Sequence, residues 1–456
     1  MHFYFLFVTW CCLAGCNKSK FLDEKPRSDL FVPTTLEDFQ LLLDNETIMN
    51  ETPVLGEISA DNFYTTFNFW QTLAVKEQFG YIWAPDIYRG EGNIGDWNVP
   101  YQQVFTANVI LEGLPKIKVS SANEKHWKNT KGSALFFRAY AFHNLVQLFS
   151  PVFDESTAIN DLGVPLRLRP NIEDVVSRSS VRETYQRIIA DLSEATQLLE
   201  DVFHQNNRNR PSKAAAYALL ARVYLSMGLY DKAGLYADSC LKRYDTLIDY
   251  NTLNSTTGRP FDRNFGEALL QSRLLSTTGL IKASTFVYCI VDSSLYNSYN
   301  DNDLRKLLFY QINNDGLPIL KFGYNGSALG FSGLATDEMY LIRAECYARQ
   351  GKKDQALADL NSLMQMRWKK DMFTPFTAAT ADEALNLILT ERRKELPFRG
   401  LRWTDLRRLN KEGANITLTR ILNGTTYTLP PNSRLYTLPI PPDVIQLGGI
   451  EQNIRE

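Results

Sequence analysis

The chain has 456 residues, 44% hydrophobic and 22% charged, enough apolar material for a large folded body and not for a disordered one. Its formal net charge of −2 gives no global field for nucleic acid or an anionic membrane, which excludes both as general electrostatic partners. Aromatic residues reach 12%, with 26 Phe, 22 Tyr and 7 Trp, a surplus that suits either helix packing or flat apolar surfaces offered to a ligand.

The chain opens with an apolar run, residues 3–15, interrupted only by Thr9. A bilayer takes about 20 helical residues, so this run is too short to span one and has the length of a secretory signal core. It ends Leu13-Ala14-Gly15-Cys16, which resembles the bacterial lipobox: small residues fit the peptidase, and the Cys thiol is the group that is alkylated. Residues 1–15 are therefore expected to be a signal peptide, Cys16 the lipidated first residue, 16–20 a polar tether and 21–456 one folded domain. Cys11 and Cys12 leave with the signal. Cys240, Cys289 and Cys346 have neither metal-ligand spacing nor a CxxC pair, so no disulfide framework or zinc site is expected.

Thr35-Leu36-Glu37-Asp38 reads as a helix start ahead of Phe39, Leu41, Leu42 and Leu43. Residues 61–95 are aromatic-rich and punctuated by Pro85, Gly90, Gly92 and Gly95, which predicts loops. Helical patterning returns over 101–114 and is strong over 127–149. Ser180-Val181-Arg182-Glu183 is a capping box opening a helix that runs to about Glu200. Next comes an internal repeat: Ala221, Tyr224, Gly228 and Ala233 recur as Ala344, Tyr347, Gly351 and Ala356, each displaced by 123 positions. The spacing is that of a tetratricopeptide helix pair, with small residues for close approach and Gly for the left-handed turn between helices. Residues 245–336 separate the two copies and read as a loop-dominated insert. Thr380-Ala381-Asp382-Glu383 caps a further helix, and 418–440 shows β-like alternation before a Pro-rich run.

No nucleophile or phosphate motif is present, and the mature part has three His, of which His143 reads as a core residue. Glu391, Arg392, Arg393, Glu395, Arg402, Asp405 and Arg408 form a charged cluster. Each carboxylate there has a guanidinium neighbour, which holds its pKa down where a general acid needs it raised. The cluster reads as an ion-pair network joining helices, and Arg343 with Glu345 reads the same way. No catalytic residue, metal or cofactor is predicted.

Several blocks together resemble the SusD/RagB family of lipid-anchored outer-membrane nutrient-binding proteins. They are Arg138-Ala139-Tyr140 with Leu145-Val146-Gln147-Leu148-Phe149, then Gly163-Val164-Pro165-Leu166, and Arg210-Pro211-Ser212-Lys213-Ala214-Ala215. Further on come Tyr299, Asp303 and Arg305, the run 338–345, Glu391-Arg392-Arg393-Lys394-Glu395-Leu396 with Gly400-Leu401-Arg402-Trp403, Leu438-Pro439-Ile440-Pro441, and Gln452-Asn453. The chain departs from the family pattern at Gly448-Gly449 and after Asn453. The resemblance implies a mainly all-α fold of four tetratricopeptide-like helix pairs, near 101–150, 180–244, 337–368 and 381–410, with a loop-rich ligand face and minor β structure. It also implies a cell-surface protein acting as the lid of a TonB-dependent, SusC-like transporter and binding a glycan, or a peptide in some members.

Sugar rings stack their C–H faces on Trp and Tyr and need amide or charged groups at the rim. Asp61-Asn62-Phe63-Tyr64, Trp70, Trp83, Asp86, Tyr88, Arg89, Trp97 and Asn98 offer that mixture. In the family the loop ahead of the helix near Tyr101 often supplies stacking rings, which points to Trp83, Tyr88 and Trp97, with Arg89 at the polar rim and Tyr324-Asn325 as an opposite wall. Two further classes stand beside this reading: a helical-repeat scaffold that binds only proteins, which a buried aromatic set would favour, and a lipid-anchored hydrolase, which a convergent carboxylate pair would favour.

Overall fold

The computed structural model describes residues 33–201, 208–263, 265–277, 280–281 and 288–455. The expected signal peptide, Cys16, the tether and His204 lie outside the described residues. Among those described, ten helices reach eight residues or more: α1 Leu36–Leu43, α2 Gly95–Gly113, α3 Glu124–Phe149, α4 Val181–Leu198, α5 Lys213–Ser226, α6 Tyr230–Leu241, α7 Thr336–Arg349, α8 Lys353–Gln365, α9 Ala381–Glu395 and α10 Arg402–Lys411. The fold is mainly helical, with short strands confined to the connections. No described helix is long and apolar enough to cross a membrane.

Local chemistry sets the helix starts. Thr35 Oγ1 accepts the Asp38 N–H while the Asp38 carboxylate accepts the Thr35 N–H, a reciprocal capping box, and Ser180 with Glu183 repeats it ahead of α4. Thr380 caps α9 through the Glu383 N–H. The helix predicted from residue 101 starts earlier, at Gly95, and carries Pro100 within it. The residues before Pro100 keep helical geometry because Asp96 is anchored: its carboxylate accepts the backbone N–H groups of Val54 and Leu55 at 2.7 and 2.8 Å.

Helices α2 to α8 pack each on the next in chain order, and α9 lies against α7 and α8. The two repeat copies, α5/α6 and α7/α8, are therefore neighbours in space although some ninety residues separate them in sequence. Gly228 (φ +72°) and Gly351 (φ +76°) make the two interhelical turns, and Ala221, Ala233, Ala344 and Ala356 are fully buried at the helix contacts. Gly234 brings α6 onto α7 so closely that a Cβ there would lie 2.8 Å from the Cys346 Cβ.

Buried ion pairs staple this array. Arg138 of α3 forks onto Asp191 of α4 with two 2.8 Å bonds. Arg222 of α5 holds Glu338 of α7, and Arg408 of α10 holds Glu345 of α7. Arg392 and Arg408 share Asp405. Arg305 touches Asp303, Glu391 and Glu395, and Arg367 joins Glu395 to Glu267, all of them buried. Burial alone would raise Glu345 and Asp405, but the Arg408 and Arg392 guanidinium groups outweigh it and hold both below their ordinary values. The charged cluster is thus a structural network. Glu345 belongs to it through Arg408, but Arg343 does not: two positions apart on α7 the two face differently, and Arg343 reaches Asp238 and Asp359 in a separate ion-pair group.

The predicted β-like stretch forms the hairpin Leu418–Leu422/Thr425–Leu429, closed by Asn423-Gly424 with both φ angles positive. Gln452 clamps the Ile440 backbone through both its amide atoms, and the Asn453 amide donates to the carbonyls of Phe149 and Leu438. The Gln-Asn block thereby ties the chain end to the end of α3.

Candidate ligand-binding face

The region predicted as loop, 61–95, contains two short helices, Phe67–Trp70 and Val75–Tyr81. Strand Phe63–Tyr64 pairs antiparallel with Ile290–Val291 from the insert, in a four-stranded sheet completed by Pro318–Leu320 and Tyr310–Ile312. That pairing brings 63–72 beside Tyr288. Thr66 Oγ1 then accepts the Phe69 N–H and starts a single helical turn.

In that turn Phe67 and Trp70 are three residues apart and share a side, where they stack at 5.8 Å with planes 21° apart. Phe69 points the other way and stacks on Tyr288 at 4.5 Å and 19°. Offset stacking at these distances is the favoured arrangement of two rings and holds the faces flat. Trp70 Nε1 donates to the Gln78 carbonyl at 2.9 Å, and the Gln78 amide returns bonds to the Gln71 and Leu73 carbonyls. The polar edge of the indole is thus satisfied within the protein, while Tyr288 remains 44% exposed and Phe67, Phe69 and Trp70 are half-buried. Thr66, Asn68, Gln71 and Thr72 are exposed around the rings. The result is two aromatic pairs on opposite sides of one turn, together an aromatic step, with exposed hydroxyl and amide side chains in the same segment.

The residues singled out from the sequence mostly lie elsewhere. Trp83 is 3% exposed, with its indole N–H on the Ser59 carbonyl at 2.9 Å and the Arg420 guanidinium over its ring. Tyr88 is buried, and burial pushes its phenol well above the ordinary value. Trp97 is 4% exposed and meets Phe149 edge-on at 4.9 Å. It sits in the first turn of α2, not in a loop, which is why it points to the core. Its edge reaches a groove of about 800 Å³ bordered by Tyr101, Phe105, Ile172, Val175 and Leu447. Tyr324 packs edge-on against Phe265 at 4.3 Å and donates to Glu267, while the Asn325 carboxamide accepts the Ser327 N–H. Asn325 borders a separate cleft of about 400 Å³ with Arg259. The structure thus places Trp83, Tyr88, Trp97, Tyr324 and Asn325 in packed positions and does not gather them into one site. Arg89 alone is on the surface, its guanidinium 4.3 Å above the Phe79 ring and its backbone N–H on Asp86.

Of the rings that form the step, only Trp70 stood in the sequence mixture. The signal that could have found the others is the run 62–75, which holds five aromatic residues and no charge. Tyr288 carries no such signal, because strand pairing alone brings it there.

Acid–base chemistry finds little support. Asp61 is held well below its ordinary value: burial opposes this, and the Arg402 fork at 2.7 and 2.9 Å outweighs it. Glu57 is raised to about 7 by burial but is enclosed by the Asn62 amide and the Gly400 N–H. No group of three or more His, Cys, Asp or Glu that could hold a metal occurs among the described residues.

Two family descriptions match the chain: residues 20–225 match the one described as starch-binding associating with outer membrane, and residues 336–454 the one described as the SusD family. A SusD-like protein P2 from Formosa agariphila is 25% identical over 418 residues, covering 78% of this chain and 79% of that one. A SusD superfamily protein from Bacteroides thetaiotaomicron has the same fold, with TM-score 0.74 and 24% identity over 92% of this chain and all of that chain. A laminarin-binding SusD-like protein superposes with TM-score 0.62 and 18% identity, covering 92% of this chain and 99% of that one.

Proposed function

The chain belongs to the SusD family, and on that premise we propose that it captures a glycan on the step formed by Phe67, Phe69, Trp70 and Tyr288 and delivers it to an outer-membrane transporter. The observation that carries this reading is the pair of stacked, partly open ring sets on a hydrogen-bonded turn. Rings held flat by stacking lose little freedom when a pyranose face settles on them, and the surrounding Thr, Asn and Gln side chains suit hydroxyl groups. The laminarin-binding relative is consistent with a glucan as one ligand to try.

In this reading residues 1–15 are removed, Cys16 carries lipid, and the folded part stands on the tether at the cell surface as the lid of a TonB-dependent, SusC-like barrel. Trp83, Tyr88 and Trp97 are core rings in this reading, and Arg89 lies over the Phe79 ring. The protein binds and does not turn its ligand over. A peptide ligand remains the alternative, favoured by the apolar groove beside Phe105 and Leu447, which a chain of side chains would fill better than a sugar.

The test is to titrate the soluble form that starts after Cys16 with a panel of glycans and peptides, following tryptophan fluorescence and heat. Saturable glycan binding that weakens about tenfold or more in Trp70→Ala and in Tyr288→Ala is the expected result. Peptide binding indifferent to both substitutions would move the site to the groove, and release of shortened sugars would make the protein an enzyme.

A further inference from the structure

The aromatic step has a charge character that narrows its ligand. Residues 62–75 contain no Asp, Glu, Lys or Arg, and neither do residues 288–291, the strand segment that brings Tyr288 to the step. Among the described residues, the charges bounding these segments are engaged. Asp61 is forked by Arg402 and also meets Arg393 at 3.3 Å. The Asp292 carboxylate accepts the Leu295 N–H as a cap and meets Arg393 at 3.3 Å. Lys76 faces Asp96 at 3.5 Å. Arg89 lays its guanidinium on Phe79.

Resting on the glycan reading above, we propose that the ligand class of this step is a neutral oligosaccharide, and that uronate-bearing or sulfated glycans are rejected. A carboxylate or sulfate set down on Tyr288 or Trp70 would lose part of its hydration, and the ring-bearing segments hold no cation to replace it. A cation could be drawn from Arg402, Arg393 or Lys76 only by giving up an ion pair with Asp61, Asp292 or Asp96. Hydroxyl groups make no such demand. They can bond to Thr66, Asn68 and Gln71, whose amides and hydroxyls both donate and accept, and to Thr72, whose hydroxyl donates to the Phe69 carbonyl and is left to accept. The ring faces meanwhile cover the C–H face of the sugar, where charge has no part.

The experiment uses the soluble form starting after Cys16 on an array that pairs neutral oligosaccharides with uronate-bearing and sulfated ones of the same length. Hits are then titrated at low and high salt with wild type, Tyr288→Ala, Trp70→Ala and Arg89→Ala. We expect neutral hits only, with affinity changing less than about twofold between roughly 50 and 500 mM salt, since no ion pair to the ligand is screened. We also expect loss of binding in the two ring variants and retention in Arg89→Ala. Anionic hits that weaken with salt while still depending on Tyr288 and Trp70 would overturn the charge assignment and leave the glycan site standing. Hits that ignore both ring substitutions, or no glycan hits at all, would overturn the site itself and this inference with it.

Discussion

Two kinds of aromatic residue occupy the same stretch of chain, and truncation should separate them. Trp83 is enclosed, with its N–H bonded to a backbone carbonyl, so Trp83→Ala should cost about 3–5 kcal/mol of stability in urea unfolding while the folded fraction binds normally. Tyr288→Ala removes a ring that is 44% exposed and should leave the unfolding midpoint almost in place while weakening the ligand. A Trp83→Ala protein that is fully stable but fails to bind would reverse the assignment. His143 gives a second residue-level test. It is buried, and desolvation, with the Arg222 charge, lowers its imidazole from 6.5 to about 3. Between those values the unfolded chain binds the extra proton, so the contribution of neutral His143 is complete above pH 6.5 and lost as pH falls toward 3. His143→Gln should therefore lose stability less steeply than wild type over that window. Parallel curves for the two proteins would show that burial does not hold the ring neutral.

At the level of elements, the glycines of the repeat make opposite predictions about space and conformation. Gly351→Ala meets no atom within 4 Å, so its cost should be that of the left-handed backbone alone, about 1 kcal/mol. Gly234→Ala has no such backbone cost but presses on Cys346 across the α6–α7 contact, and should be the more damaging of the two in thermal unfolding. Breaking the staple at Arg305 should cost about 3–5 kcal/mol, since Arg305→Ala leaves three buried carboxylates, Asp303, Glu391 and Glu395, with only Lys394 and Arg367 to balance them. These features were largely readable from the chain, because caps, interhelical glycines and Arg–carboxylate pairs each have a local signature. Thr35, Ser180, Thr380, Gly228 and Gly351 all act as their sequence context indicates. The binding face was not readable in the same way. Whether a ring in an irregular segment points in or out depends on partners far along the chain: Ser59 and Arg420 for Trp83, Phe149 for Trp97, and strand Ile290–Val291 for the position of Tyr288. The start of α2 lies ahead of the predicted one for a related reason, since Pro100 signals a break and the Asp96 contacts to Val54 and Leu55 outweigh it.

For the whole molecule, the insert 245–336 leaves the helical array uninterrupted, since α6 packs directly on α7. The array is thus a frame whose buried ion pairs fix the helices, and the insert and the 61–95 region are what that frame presents. Both sides of the aromatic step come from these two decorations, which are tied to the frame through the ion pairs of Asp61, Glu267 and Arg305. Anchoring belongs to the same scale: Cys16→Ala in cells should shift the protein from the membrane fraction to the soluble one, and unchanged membrane retention would contradict lipid attachment at that residue. The central claim is that ligand settles on Phe67, Phe69, Trp70 and Tyr288, and the most direct test is a crystal structure of the soluble form soaked with its tightest-binding glycan. The account predicts a sugar ring lying parallel to Tyr288 or Trp70, with hydroxyls bonded to the Thr66, Asn68, Gln71 or Thr72 side chains. A sugar seated instead in the groove beside Trp97, Tyr101 and Phe105, with the step uncovered, would contradict it.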